Sequence, residues 1–180
     1  MTNNNSRLEF NKVSSTLIYD GYRKILEKKF TDPDGVQHGF EIIHTSHKIV
    51  LVVAFDMGQN LILIKQYRPG PEEILIEIPA GKVEEGEASI EGAKRELLEE
   101  TGYTTENISL VGSFYSGAYS DGVFEVFLAK NCIQTQVQDL DDSEFIEVLN
   151  WSPEEFESYL ATQLTNGQCL LGYFLAKRYF

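Results

Sequence analysis

The chain has 180 residues, with 28 Asp and Glu against 15 Lys and Arg, for a formal charge of −13. That length and a hydrophobic share of 42% describe a globular domain with a real core. The acidic balance excludes a general nucleic-acid binder, which needs a basic surface, and a protein drawn to anionic membranes. No apolar run is long enough to span a bilayer and the opening residues lack a signal-peptide pattern, so a cytoplasmic protein is expected. Cys132 and Cys169 show neither metal spacing nor a disulfide framework and read as small buried hydrophobes.

In chain order, residues 1–14 open on polar sequence and are expected to be a flexible N-terminus. Residues 15–46 read as an N-terminal β extension. Its first part, 15–30, is one or two strands, although 23–29 also suits a helix. Asp32-Pro33-Asp34-Gly35 is a turn, and 36–44 completes a hairpin. Residues 47–180 make the main domain. The continuous apolar run 48–55 predicts a buried strand, followed by a turn at 56–60 and a strand at 61–67. Pro69, Gly70 and Pro71 mark a loop before a strand near 74–79. Further strands are expected at 108–116, 123–129 and 145–151, with an acidic loop at 139–143. Ser152 followed by Pro153 starts a helix, and 169–178 is a second, aromatic one. Strands on both sides of a central helix, with helices at the end, predict an α+β chain. Its architecture is a three-layer α/β/α sandwich around a mixed sheet, with a small N-terminal antiparallel sheet.

The central helix carries the chemistry. Residues 89–101 contain no proline, and Ser89 is the expected N-cap. At about 100° per residue, Glu96, Glu99 and Glu100 share an arc of roughly 100°. Ile90, Ala93 and Leu97 form a second arc suited to packing on a sheet. Glu96 and Glu100, one turn apart, would repel unless they grip a cation, and hard oxygen donors favour Mg²⁺ or Mn²⁺. Gly102 suits a left-handed helix stop, and Gly81 and Gly86 a tight loop before the helix.

Gly81, Glu87, Arg95, Glu96, Leu97, Glu99, Glu100 and Gly102 stand in the register G-x5-E-x7-R-E-U-x-E-E-x-G-U, where U is a bulky aliphatic. This segment resembles the Nudix box; Tyr103 departs from it at the last position, which bears on packing more than on chemistry. Gln66-Tyr67-Arg68 and Glu77-Ile78-Pro79-Ala80-Gly81 extend the likeness to the ADP-ribose and nucleoside-diphosphate-sugar pyrophosphatase branch. The resemblance implies the Nudix fold and a homodimer in which the N-terminal sheet takes part. It implies metal ligands at Glu96, Glu100 and the Ala80 carbonyl, with Glu99 joining them or holding a metal-bound water. Glu87 and Arg95 would support the helix–loop junction, as would Gly81.

The expected reaction is Mg²⁺-dependent attack of water on a diphosphate, giving a nucleoside monophosphate and a sugar phosphate. The branch takes its general base from a loop after the box. Here residues 141–147 resemble that loop, with Glu144 the candidate and Asp141 or Asp142 as substitutes. Arg68 is the candidate phosphate clamp, with Glu77 beside it, and Tyr22 and Phe40 are candidates for stacking on a base. Gly117 and Gly122 stand where ADP-ribose-specific members commonly carry proline and an acid. A broader range of nucleotide sugars is therefore expected, ADP-ribose and GDP-mannose among them. The alternatives are a Nudix hydrolase of oxidised nucleotides or dinucleoside polyphosphates, and a catalytically silent nucleotide-sugar sensor.

Overall fold

The computed structural model describes residues 8–180, and the chain divides into two compact units. The expected flexible segment lies partly outside the described residues, at 1–7; within them, strand β1 already begins at Asn11.

The smaller unit holds the described part of Met1–Ser46 together with Tyr115–Val123. Its antiparallel sheet runs in the order β1 (Asn11–Asp20), β2 (Lys24–Thr31), β3 (Gln37–His44). The 23–29 stretch is strand and not helix. β2 is central and bonded on both edges, which outweighs the local helix preference of Glu27 and Lys28. The turn after β2 is fixed by Asp32, whose Oδ1 accepts the N–H groups of Asp34 and Val36 at 3.0 and 2.8 Å. The returning segment Tyr115–Val123 docks on β3 through a bridge from Ile43 to Ser120. Asp121 anchors it, accepting the Thr45 N–H at 2.9 Å and Lys28 Nζ at 3.0 Å and pairing with His44 Nδ1 at 2.9 Å. Partial burial alone would raise the Asp121 pKa, but these partners outweigh it and hold it at about 2.

The larger unit, His47–Phe114 with Phe124–Phe180, is built on a mixed eight-stranded sheet. Its strands are β4 (Ile49–Asp56), β5 (Leu61–Arg68), β6 (Glu73–Glu77), β7 (Ala80–Lys82), β8 (Tyr103–Thr104), β9 (Ile108–Tyr115), β10 (Val123–Gln134) and β11 (Glu147–Trp151). The order is β11-β5-β4-β10-β8, with β6 on β5, β7 on β4 and β9 on β10. β4 and β10 run parallel; β4 is antiparallel to β5 and to β7. Alternation along β4 sends successive side chains to opposite faces. Val50, Val52 and Ala54 pack under helix α1 (Ser89–Thr101), with its Ala93 and Leu97. Leu51, Val53 and Phe55 pack on the other face with Phe156 of α2 (Pro153–Thr162) and with Cys169, Tyr173 and Ala176 of α3 (Gly167–Lys177). The three layers expected from the sequence are present. Both cysteines are free and buried, and burial pushes each thiol up to about 12.

Two local readings on α1 are corrected. Ser89 is the first helical residue, not the cap; Ala88 precedes it with no side-chain cap, and the Ser89 hydroxyl bonds Glu125 instead. Ile90 remains 37% exposed, so the core-facing face of α1 begins at Gly92 and Ala93. The short strands β7 and β8 carry too few residues to show a period. Gly102 closes α1 in the left-handed region, at φ 75°, as expected. Tyr103 packs against the core cluster under α1.

Ser152 caps α2 with a reciprocal box: its Oγ accepts the Glu155 N–H at 3.2 Å, and Glu155 Oε2 accepts the Ser152 N–H at 2.8 Å. Ser152→Ala is expected to cost about 1 kcal/mol, read as a lower denaturation midpoint in urea with unchanged slope.

Candidate active site

One side of α1 presents Glu96, Glu99 and Glu100, and Arg95 ties them to the preceding loop. Its guanidinium donates from Nε to Glu87 Oε1 and from Nη2 to Glu87 Oε2, both at 3.1 Å. Nη1 donates to Glu96 Oε1 and Glu99 Oε2, both at 2.9 Å, and Nη2 reaches the Lys82 carbonyl at 2.8 Å. The Arg95 charge is reinforced by Glu87 first and then by Glu96, and Arg95 in turn lowers the Glu87 pKa. Glu87 also accepts the Glu84 N–H at 2.9 Å. The pair expected to stiffen the loop–helix junction is thus in contact, and the guanidinium reaches two further carboxylates.

Gly81 lies in strand β7 opposite Val50, not in a loop. Its role is close approach: a Cβ built there would fall 1.9–2.1 Å from the three carboxylate atoms of Glu96. Gly86, in the loop before α1, lies at positive φ, 81°.

Glu100 is the most deeply placed carboxylate, 4% exposed, with Oε2 accepting the Ala80 N–H at 2.9 Å. Burial pushes its pKa well up, the negative charges of Glu96 and Glu144 add to this, and the Ala80 N–H and Arg68 oppose it. Glu96 is also raised, by burial first, against the pull of Arg95. Burial among like charges favours a cation beside these acids, and every candidate ligand here is oxygen, which fits a hard divalent ion. As they stand, no three His, Cys, Asp or Glu among the described residues converge on one point; Arg95 holds Glu96 and Glu99. The donors fit the ion in kind, with Arg95 occupying positions a cation would share.

Arg68 ends β5, and Glu77 ends β6 beside it. Arg68 Nε and Nη2 lie 2.7 and 2.6 Å from Glu77 Oε2. Glu77 is only 2% exposed; its Oε1 accepts Asn166 Nδ2 at 2.7 Å, and Gln66 Nε2 adds a long bond of 3.4 Å. Both Glu77 oxygens are therefore taken by protein donors, whereas the Arg68 side chain is 36% exposed. Asn166 also caps α3, accepting the Gln168 N–H at 2.9 Å.

Glu144 sits in an exposed turn, its N–H donating to the Asp141 carbonyl at 2.9 Å and its Oε2 accepting the Asp141 N–H at 3.2 Å. Its charge acts on both Glu96 and Glu100. Tyr22 and Phe40 belong to the smaller unit. There Phe40 lies 5.9 Å from Phe30 and 6.2 Å from Tyr119 between ring centroids, and Tyr22 is 90% exposed. Sequence reasoning missed Asn166: a lone amide in a loop carries no spacing that marks it.

The family model for the NUDIX domain matches residues 45–168. Two relatives align over four-fifths of the chain. An ADP-ribose pyrophosphatase of Bacillus subtilis is 33% identical over 153 residues, covering 82% of this chain and 81% of its own. An ADP-ribose pyrophosphatase of Saccharomyces cerevisiae is 30% identical over 162 residues, covering 81% and 69%. A crystal structure of an ADP compounds hydrolase superposes with a TM-score of 0.84 at 18% identity, over 95% of this chain and 94% of that one. The chain belongs to the Nudix family of hydrolases, enzymes that generally work with a divalent metal. No helix among the described residues is long and apolar enough to cross a membrane.

Proposed function

We propose that this protein is a pyrophosphohydrolase of nucleoside diphosphate sugars, ADP-ribose and GDP-mannose among them, working with Mg²⁺ or Mn²⁺. The observation that carries this reading is the side of α1 that presents Glu96 and Glu99, bonded by Arg95, beside buried Glu100, on which the charges of Arg68 and Glu144 act. The ADP-ribose pyrophosphatases that align over most of its length support the substrate class. Glu96, Glu99, Glu100 and the Ala80 carbonyl are the candidate holders of the metal, which when bound supplies charge neutralisation of the diphosphate and activation of water.

The chain's own groups do the rest. Arg68, fixed from behind by buried Glu77, offers its exposed guanidinium edge to a phosphate oxygen. Glu144 takes the proton of the attacking water as the water oxygen bonds to one phosphorus. The anhydride P–O bond on the far side breaks, leaving a nucleoside monophosphate and a sugar phosphate. Arg95 and Glu87 keep the carboxylates aligned during this exchange.

Residues 15–46 are read as an extension for base stacking, through Tyr22 and Phe40, and for homodimer formation. The dimer reading is supported by β1, an edge strand exposing Val13, Leu17, Ile18 and Tyr19. Two free buried thiols suit a cytoplasmic setting.

Hydrolysis of a panel of ADP-ribose, GDP-mannose, other nucleotide sugars and nucleoside triphosphates, with and without Mg²⁺, tests the reading. Metal-dependent release of nucleoside monophosphate plus sugar phosphate is expected, with triphosphates poor. Tight binding of a nucleotide sugar without turnover would replace it with the sensor reading.

A further inference from the structure

The acidic loop carrying Glu144 is exposed and has a single internal turn. What fixes it lies at its neck. The Asp139 N–H donates to the Glu99 carbonyl at 2.9 Å, and the Gln138 side-chain amide nitrogen donates to the Glu100 carbonyl at 2.6 Å and to the Ile146 carbonyl at 3.2 Å. Both acceptors are carbonyl oxygens, so the amide NH₂ must face them and the orientation of Gln138 is settled by its partners. The Glu100 carbonyl is among the last of α1, a group the helix itself leaves without a partner. Ile146 is on the far side of the loop. One side chain thus closes the 139–145 loop on itself and pins it to the helix that carries Glu96 and Glu100.

We propose that Gln138 is a positioning residue: its side-chain amide clasps the neck of the 139–145 loop and sets the place of Glu144 relative to Glu96 and Glu100. The catalytic consequence rests on the reading of Glu144 as general base given above; the clasp itself does not. Without the clasp the loop keeps its Asp141–Glu144 turn and its β11 end, since β11 pairs with β5 from Glu147 to Trp151. It keeps the Asp139 N–H bond to the Glu99 carbonyl at its start and loses the side-chain tie that holds its far side, at Ile146, to Glu100 of α1. A displaced general base slows the chemical step and leaves ground-state substrate contacts intact, so the effect belongs in kcat and not in KM.

Gln138→Met keeps the length and removes both donated bonds. Two measurements on the full chain read it. In hydrogen–deuterium exchange of the metal-free protein, amides of residues 139–145 should exchange about tenfold faster in Gln138→Met, with α1 and β11 unchanged. Unchanged exchange in the loop would overturn the clasp, and equal acceleration in α1 and β11 would reduce it to general destabilisation. In turnover, kcat should fall about tenfold with KM within about twofold, and Gln138→Met should add nothing in a Glu144→Gln background. An equal loss in that background would show that Gln138 does not act through Glu144. Full activity of Glu144→Gln alone would remove the base assignment, and the exchange experiment would still decide the clasp.

Discussion

Glu100→Gln should leave the protein folded and lower metal-dependent kcat by about 10³-fold, the scale of losing several kcal/mol of charge stabilisation by a bound metal. Glutamine keeps an oxygen for the Ala80 N–H, so the local bond survives. The same variant makes an opposite expectation for stability in the metal-free protein. The folded-state pKa of Glu100 is raised by burial, with Glu96 and Glu144 adding to it. The folded state therefore binds its proton more tightly than the unfolded state does. The stability that Glu100 contributes is greatest below the ordinary glutamate range and is lost as pH rises through the raised value. Glutamine has no proton to lose. Metal-free Glu100→Gln should thus melt above wild type at neutral pH, and the advantage should vanish near pH 4. Thermal melts with chelator across that range check it. A variant that melts below wild type at every pH would mean that the buried charge is already compensated.

Gly81→Ala should cost about 100-fold in kcat with the fold intact. Gly81 does not lie at positive φ, so alanine is allowed by the backbone of β7. The added methyl would coincide with the Glu96 carboxylate, and that end is the only part able to yield. Glu96 would swing away from Gly81 and from its bond with Arg95. A misplacement of about 1 Å at a reacting centre is worth losses of this order. Kinetics alongside circular dichroism reads it. Wild-type kcat in Gly81→Ala would show that Glu96 need not lie against β7 for turnover.

The box on α1 was legible because helix geometry turns spacing into position. Glu96, Glu99 and Glu100 must share one side wherever residues 89–101 are helical, and Arg95 stands one residue away. The central strand β4 was legible for a similar reason: an unbroken apolar run has to be buried on both faces, and it is. Where local signals conflicted, one reading went astray and another stayed open between strand and helix. Ser89 looks like a cap, but Glu125 on β10 claims its hydroxyl. Residues 23–29 suit a helix, but pairing on both edges makes them a strand.

By itself, then, the sequence determined the layers, the carboxylate-bearing helix and the family, because periodicity and short-range spacing are properties of a chain. Only the tertiary structure decided that Gly81 is a glycine for the sake of Glu96, that Glu77 serves Arg68 and Asn166, and that Gln138 closes the loop of Glu144. Two of these contacts join residues that meet only after strands and helices pack, and no local preference of a glutamate or a lone amide encodes which distant partner it will find.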